Sequence, residues 1–144
     1  MVPKPHPKPV PAEDHLSAPY WEGCRAHELR LQRCDACGTH RFPPGPLCTS
    51  CRSPAATWVR SSGRGRVYSW IVVRHPVPAD IYAQDVPYAV ALVDLDEGVR
   101  MPTNIVDCPV DSIAADMPVE VRFRDVDATL SLPVFAPFAD ARTA

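Results

Sequence analysis

Long apolar stretches are absent from this chain. None of its 144 residues belongs to a run of about 18 apolar residues of the kind that crosses a bilayer. Residues 1–15 (MVPKPHPKPVPAEDH) contain no apolar signal-peptide region. Six cysteines in a chain without an export signal favour a reducing compartment. We therefore expect a cytoplasmic protein with no membrane partner.

Several catalytic motifs are also absent: the sequence has no Gly-x-Ser-x-Gly, no P-loop and no His-Glu-x-x-His. Two thiols, Cys24 and Cys108, remain outside the Cys-x-x-Cys pairs, and a helix would place His27 on the same face as Cys24. A single cysteine is more often a small buried hydrophobe. We therefore predict no catalytic residue in this chain. An enzyme with Cys24 as its nucleophile is the alternative.

The segment CDACGTHRFPPGPLCTSC contains two Cys-x-x-Cys pairs, Cys34/Cys37 and Cys48/Cys51, separated by ten residues. Each pair can form a tight turn that points both sulfurs at one position, and two such turns complete a tetrahedron for Zn²⁺. Four protein ligands leave no place for a catalytic water, so we predict one structural zinc. Iron in a rubredoxin-like site is the alternative metal. A redox Cys-x-x-Cys would instead open a helix in a βαβ unit, which this proline-rich segment does not resemble.

Charge is distributed unevenly along the chain. Residues 21–66 carry eight Arg against three acidic residues, whereas residues 67–144 carry five Arg against twelve acidic residues. An anionic ligand is therefore expected to meet the first half, and ordinary solvated arginines are the competing interpretation.

The N-terminal region changes character twice. Proline at every second residue from position 3 to position 11 predicts an extended, disordered arm, because each proline lacks an N–H and restricts the residue before it. Residues 17–31 then show helical spacing, with Tyr20, Trp21 and Cys24 near one face. We interpret this segment as an amphipathic docking helix that packs on its own chain or, through its aromatic anchors, on a partner. Alternation over residues 29–33 predicts a short strand.

The sequence of the second half predicts strands and leaves almost no segment that could form a helix. Five short segments rich in β-branched and aromatic residues, with one helical turn between the third and the fourth, fit a small Greek-key barrel of the OB type. Closure is favoured because an open sheet would leave its edges unpaired. The strands are expected at residues 67–74, 87–95, 99–106, 119–124 and 130–135, and the turn at 109–113.

OB barrels often bind single-stranded nucleic acid through a basic groove with stacking aromatic side chains. The acidic second half opposes a polyanion, so we expect no nucleic-acid partner, and a nucleic-acid-binding OB module is the alternative function. The predicted fold class is mainly β, with an N-terminal helix, a rubredoxin-like zinc ribbon and a five-stranded OB-fold barrel. The predicted boundaries are a disordered Pro-rich arm at 1–15, the docking helix and first strand at 16–31, the zinc ribbon at 32–62, the barrel at 63–138 and a tail at 139–144.

The order of motifs resembles the DUF35 family over about residues 20–135. The chain has, in sequence, Leu-Arg-Leu-Gln-Arg-Cys-Asp-Ala-Cys-Gly, Phe-Pro-Pro, a second Cys-x-x-Cys, Gly-Arg-Gly-x-Val-Tyr-Ser, Pro-Tyr-x-Val-Ala-Leu-Val and a Glu-Gly turn. The family joins a rubredoxin-like zinc ribbon to an OB fold, and its members are typically non-catalytic partners of thiolase-superfamily enzymes. The resemblance implies that the zinc ligands are Cys34, Cys37, Cys48 and Cys51.

The resemblance also implies a function. It implies a hetero-oligomer with a thiolase-like enzyme, such as an SCP2-type thiolase or aldolase, that processes acyl-CoA by retro-aldol or thiolytic cleavage in steroid or lipid side-chain degradation. A C-acyltransferase complex and an acetyl-CoA thiolase/HMG-CoA synthase assembly are alternatives, as is an independent acyl-CoA enzyme. The partner surface it implies comprises Tyr20, Trp21, Cys24 and Phe42. An acyl-CoA at the shared interface would carry phosphates to the basic half, where the candidate contacts are Arg41, Arg64 and Arg66.

Overall fold

The structure is a computed structural model and describes residues 8–139. The chain order is helix, small sheet, then barrel. The elements are α1 (Ala18–Arg25), β1 (Arg30–Cys34), β2 (His40–Arg41), β3 (Ala56–Arg60), β4 (Arg64–Val73), α2 (Ala79–Tyr82), β5 (Tyr88–Leu95), β6 (Arg100–Ile105), a 3-10 turn (Val110–Ser112), β7 (Pro118–Asp125) and β8 (Ser131–Pro137).

The turn that leads into α1 is closed by Asp14 and Ser17. The Ser17 N–H donates a hydrogen bond to Oδ1 of Asp14 at 2.8 Å, and the Asp14 N–H donates one to the Ser17 hydroxyl oxygen at 3.2 Å. This reciprocal pair has the pattern of a capping box, one turn before the helix proper. Lys8, Glu13 and Asp14 have defined contacts, which differs from the disordered arm expected over 1–15. The remainder of that arm, residues 1–7, lies outside the described residues.

α1 ends earlier than the helical spacing indicates. The Glu28 N–H donates to the Gly23 carbonyl at 2.8 Å, and His27 between them has a left-handed φ of 57°. This is the geometry of a Schellman motif, which ends a helix by satisfying its last carbonyls. The chain then turns directly into β1, so the predicted strand at 29–33 is present and the helix is eight residues long.

The first sheet has the order β2-β1-β3, with both pairs antiparallel. β1 is buried along its middle, at Leu31 and Gln32, whereas Arg33 is exposed. Cys34, the last residue of β1, places the first sulfur at the end of the sheet.

The second half forms a closed barrel of five strands in the order β4-β5-β6-β8-β7, as predicted for an OB fold. Period-2 alternation determines which side chains enter it. On β5 every second residue is buried, and these residues are Ala89, Ala91, Val93 and Leu95. The 3-10 turn falls between the third and fourth barrel strands, where a helical turn was expected, while α2 between β4 and β5 was not predicted.

The helix, the ribbon and the barrel share one hydrophobic core. Tyr20 and Cys24 of α1, Leu31 of β1 and Phe135 of β8 belong to the same buried cluster. α1 packs against β1 and against the outer side of β8. Burial is thus continuous from the ribbon to the barrel, and the two halves depend on each other for stability. Among residues 8–139, no helix is long and apolar enough to cross a membrane.

Gly63 lies where the ribbon meets the barrel, and we predict that Gly63→Ala destabilises the zinc-loaded protein by about 2–5 kcal/mol. A Cβ at this position would lie 2.5 Å from Cγ1 of Val121, and the backbone φ of +71° is unfavourable for alanine. Gly98→Ala is the matched control, because Gly98 has a φ of +87° but nothing within 4 Å of the added Cβ, so about 1–2 kcal/mol is expected. Urea unfolding measures both losses, and equal losses would contradict the steric argument.

Candidate metal centre and partner surfaces

Four cysteine sulfurs converge at one end of the ribbon sheet. Sγ of Cys34 lies 3.5 Å from Sγ of Cys51, and Sγ of Cys37 lies 3.6 Å from Sγ of Cys48. All four sulfurs lie within 4.8 Å of one another. Tetrahedral thiolates at the Zn–S bond length of about 2.3 Å are separated by about 3.8 Å. The arrangement therefore matches the geometry that a four-thiolate metal requires.

Backbone geometry brings the two halves of the site together. The Gly38 N–H donates to the Cys34 carbonyl at 2.9 Å, and the Arg52 N–H donates to the Cys48 carbonyl at 3.0 Å. Gly38 and Arg52 both have positive φ, 77° and 64°. Each Cys-x-x-Cys is thus closed by an equivalent tight turn, with its left-handed residue directly after the second cysteine.

Local hydrogen bonds favour the thiolate at two of the four cysteines, Cys37 and Cys48. The N–H groups of Cys51 and Ser50 point at the Cys48 sulfur and lower the pKa of Cys48 to about 6. The Thr39 hydroxyl, 3.2 Å from the Cys37 sulfur, lowers the pKa of Cys37. A deprotonated sulfur is the form that binds metal, so these two positions favour a cation.

At Cys51 a backbone hydrogen bond from Ser53 is outweighed by the neighbouring sulfurs, Cys34 first, which raise its pKa. Metal binding must therefore displace a proton there. The soft donor set fits one structural zinc, held by four protein ligands.

Arg41, a predicted phosphate contact, is buried beside this site with 6% of its surface exposed. Its Nε donates to Oε1 of Gln32 at 2.8 Å, and its Nη2 donates to the Gly45 carbonyl at 2.9 Å. The same Gln32 oxygen accepts the Gly45 N–H. Arg41 therefore joins β1, β2 and the loop between the cysteine pairs. This corrects the sequence-based expectation, because a buried guanidinium is not accessible to a CoA phosphate.

Arg64 and Arg66 lie at the start of β4, where the ribbon meets the barrel. Arg64 is exposed, and its guanidinium carbon lies 4.9 Å from the centre of the Phe138 ring. Arg66 is half-buried and donates from Nη1 to the Asp116 carbonyl at 2.9 Å. Both side chains leave the same side of the strand, so the structure brings these two predicted contacts together and separates them from Arg41.

The predicted partner surface divides into buried and accessible parts. Tyr20 has 5% of its surface exposed and Cys24 has none, so neither can contact a partner while α1 keeps its place. Trp21 and Phe42 are half-buried and pack around Tyr20, whose ring centre lies 4.9 Å and 5.4 Å from theirs. A groove runs between them, lined also by Leu16, Pro43 and Pro44.

Cys24 and His27 do not form a catalytic pair. Burial raises the pKa of the Cys24 thiol to about 11, so it stays protonated near neutral pH. His27 lies beyond the end of α1, where its ring stacks on Phe123 and its Nε2 lies 2.8 Å from Oδ1 of Asp125. The histidine thus connects the end of α1 to β7, and the prediction that a helix would place both side chains on one face is wrong.

The position of the N-terminal arm was not predictable from the amino-acid pattern. Nζ of Lys8 lies 2.6 Å from Oδ2 of Asp85 in the loop between β4 and β5, and Arg25 donates both to Glu13 and to the carbonyl of Thr129 in the β7–β8 turn. Residues 8–13 therefore cross from one loop to the other. These are the two loops that flank the ligand face of an OB barrel. The Lys8–Asp85 and Glu13–Arg25 pairs join residues that are distant in sequence, so no local pattern encodes them.

We predict that the purified protein contains one zinc per chain, measured by elemental analysis. Cys48→Ser should lose the metal and the ribbon structure, because one pair keeps a single thiolate and metal binding is coupled to folding. Cys108→Ser is the matched control, since Cys108 is half-buried and lies outside the four-sulfur cluster. Ribbon amide signals in NMR spectra report the fold, and an intact ribbon in metal-free Cys48→Ser would contradict the structural role.

Comparison with known proteins places these features in a family. Sequence models of the ChsH2 rubredoxin-like zinc ribbon domain and the ChsH2 C-terminal OB-fold domain match residues 21–56 and 58–124. A solved structure titled Ltp2-ChsH2(DUF35) aldolase superposes with a TM-score of 0.80 and 43% identity, covering 89% of this chain and 98% of that one.

Two curated relatives agree with the domain match. The 3-oxo-4,17-pregnadiene-20-carboxyl-CoA hydratase alpha subunit of Mycobacterium tuberculosis is 39% identical over 115 residues, 80% of this chain and 36% of the relative. A DUF35 domain-containing scaffold protein of Methanothermobacter thermautotrophicus is 38% identical over 101 residues, 69% of this chain and 74% of the relative. The chain spans only 36% to 40% of the length of the hydratase-subunit relatives that it matches. With its four-cysteine ribbon joined to a closed five-stranded barrel, this chain belongs to the DUF35 family.

Proposed function

We propose that this chain is a non-catalytic subunit that binds a thiolase-superfamily enzyme of the aldolase type and supports cleavage of an acyl-CoA side chain. The observation that carries the proposal is the likeness to the Ltp2-ChsH2(DUF35) aldolase, at 43% identity over 98% of that chain. Identity at this level, extending over both the ribbon and the barrel, supports a common mode of assembly. The steroid acyl-CoA in the name of the Mycobacterium relative supports a steroid side chain as substrate.

The chemistry of the described residues supports a role without catalysis. The metal site has four protein sulfurs, so a zinc held there has no open coordination position for a substrate or an activated water. The thiol of Cys24 is buried and protonated, and His27 is engaged with Asp125. The residues that could have acted as a nucleophile and a base are thus occupied in holding the fold.

A nucleic-acid-binding function has less support. The ligand end of the barrel is crossed by residues 8–13: Lys8 pairs with Asp85 on one side, and Glu13 is joined through Arg25 to the β7–β8 turn on the other. The second half also carries twelve acidic residues against five Arg, which repels a polyanion. Both features are compatible with a protein partner.

A CoA-ester hydratase is the second candidate partner. The support is the similarity to hydratase alpha subunits, of which this chain covers only about two fifths or less. The same ribbon and barrel would then accompany a hydratase domain. The two candidates predict different products from one acyl-CoA, a shortened chain or a hydrated one.

Co-expression with the aldolase-type thiolase-superfamily enzyme of the same genome tests the proposal. We expect the two chains to co-purify as one complex, and we expect retro-aldol turnover of a steroid side-chain acyl-CoA to require both. Size-exclusion chromatography and product analysis by mass spectrometry provide the measurements. Independent migration of the two proteins, together with full turnover by the enzyme alone, would refute the accessory role.

Arg64 is our remaining exposed candidate for a CoA phosphate contact. In the complex, Arg64→Ala should raise KM for the acyl-CoA about 5- to 100-fold with little change in kcat, because a charge-assisted hydrogen bond of about 1–3 kcal/mol is lost from substrate and transition state alike. Arg122→Ala on β7 is the control, since Arg122 is exposed and pairs with Glu120 at 2.8 Å. An unchanged KM in Arg64→Ala would remove Arg64 from the CoA path.

A further inference from the structure

The buried guanidinium of Arg41 has no acidic partner within the described part of the chain. Its hydrogen bonds go to the side-chain oxygen of Gln32 and to the carbonyl of Gly45, and both acceptors are uncharged. Its remaining nitrogen, Nη1, is buried and has no hydrogen-bond partner among residues 8–139. Arginine stays charged in proteins, and a buried charge without compensation is strongly destabilising. An anion is therefore needed close to Arg41.

Strand register places Arg41 on the face of the ribbon sheet that carries the metal site. Arg41 of β2 pairs with Gln32 of β1, and Cys34 lies two residues beyond Gln32 on the same face. Thr39, two residues before Arg41, also belongs to this face, and its hydroxyl oxygen lies 3.2 Å from the Cys37 sulfur. Diagonal neighbours across an antiparallel pair, such as Cys34 and Arg41, lie about 7–8 Å apart. Charges at this separation interact strongly in a protein interior.

The second hydrogen bond of Arg41 reaches the loop that leads to the other cysteine pair. Gly45, whose carbonyl accepts from Nη2, precedes Cys48 by three residues. The Gly45 N–H donates to the same Gln32 oxygen that accepts from Nε of Arg41. Arg41 is thus held between the strand that ends at Cys34 and the loop that leads to Cys48. Its charge has a fixed position beside both halves of the site.

A loaded metal site is an anion of the kind that Arg41 requires. The charge of Zn²⁺ offsets only half of the charge of four thiolates, so the centre keeps a net negative charge of about two units. Hydrogen bonds from backbone N–H groups, such as that of Ser50 to the Cys48 sulfur, offset part of this charge. Metal binding releases thiol protons, so the loaded state is more negative than the metal-free chain. A cation held nearby at low dielectric therefore favours the loaded state.

The other charges of the ribbon are exposed to solvent, paired or on the opposite face. Residues 29–60 carry five Arg against one acidic residue, Asp35, which is exposed. The arginines other than Arg41 are each exposed or paired with Glu28, and they are Arg30, Arg33, Arg52 and Arg60. His40 alternates with Arg41 on β2 and so belongs to the opposite face. Solvent screens exposed charges, whereas only 6% of the Arg41 surface is exposed.

We propose that Arg41 is the counter-cation of the four-thiolate metal centre and raises the affinity of the site for a divalent metal through its charge. Gln32 and Gly45 hold that charge in position. This role accounts for a buried arginine whose hydrogen bonds lead only to uncharged groups. It is independent of the proposed accessory function, because it concerns metal binding by the isolated chain.

The first test measures the Kd of the purified full-length chain for zinc by competition with a chromophoric chelator. Arg41→Gln removes the cation, and Gln32→Glu places a carboxylate against it while keeping both hydrogen bonds. Each lowers the local charge by one unit and should raise the Kd about 10-fold or more. Arg41→Lys keeps the charge and should lose less affinity than Arg41→Gln. Arg33→Gln is the matched control, since Arg33 is an exposed arginine next to Cys34, and it should change the Kd less than about 3-fold.

The second test separates charge from packing. Four thiolates also hold iron, and a ferrous centre carries one more negative charge than a ferric centre. A lower local charge therefore favours the ferric form. In the iron-substituted chain, Arg41→Gln and Gln32→Glu should each change the ferric-to-ferrous ratio at least threefold, which lowers the reduction potential by about 28 mV for one electron. Spectroelectrochemistry measures this shift, and Arg33→Gln should give less than half of it.

Three results would overturn the proposal. The first is a zinc Kd and a reduction potential that stay at the wild-type values in both Arg41→Gln and Gln32→Glu. The second is an equal shift in Arg33→Gln, which would make overall charge responsible. The third is loss of zinc in Arg41→Gln with wild-type values in Gln32→Glu, which would leave Arg41 a packing role alone. Thermal unfolding and ribbon amide signals of the loaded chain identify a variant that does not fold. If Arg41→Gln is such a variant, the reduction potential of Gln32→Glu decides.

Discussion

Convergence of four sulfurs on one position is the constraint on which the first half of the chain depends. The ribbon sheet has three strands, and one of them, β2, has two residues. A sheet of this size does not bury enough apolar surface to fold alone, so metal–thiolate bonds must supply the missing free energy. The same constraint fixes the end of β1 at Cys34 and brings α1 against the barrel. A metal held by these sulfurs would therefore fix the end of the strand against which α1 packs.

Features that depend on near neighbours in sequence were predictable. The spacing of the cysteine pairs was sufficient for the metal site, since each turn involves only four or five residues. Alternation and composition were sufficient for the barrel strands, and the cost of unpaired sheet edges was sufficient to favour closure. The end of α1 was not predictable, because it depends on His27 adopting a left-handed conformation for which histidine is a weak signal.

Long-range contacts account for the other differences. Arg41 has the composition of a surface residue, and its burial becomes apparent only when Gln32 and the Gly45 carbonyl are placed around it. Residues 8–13 have the composition of a free proline-rich segment, yet Lys8 and the Glu13–Arg25 pair hold them across the end of the barrel. The exposure of Tyr68 and Ile71 on β4 was also not predicted. An alternating strand pattern shows that one side of a strand is buried, but it does not show which apolar side chains are left exposed on the opposite side.

The barrel closes through a seam that is weaker than its other joints. β6 and β8 run parallel and share a single register pair, Ile105 with Phe135, with the Val106 N–H donating to the Phe135 carbonyl at 2.8 Å. Every other pair of adjacent barrel strands is antiparallel and shares several register pairs. α1 lies against β8 at this seam, and the ribbon determines where α1 lies. Because the ribbon, α1 and the barrel share one buried core, metal binding that stabilises the ribbon also stabilises, through α1, the strand at this seam, although no zinc ligand belongs to the barrel.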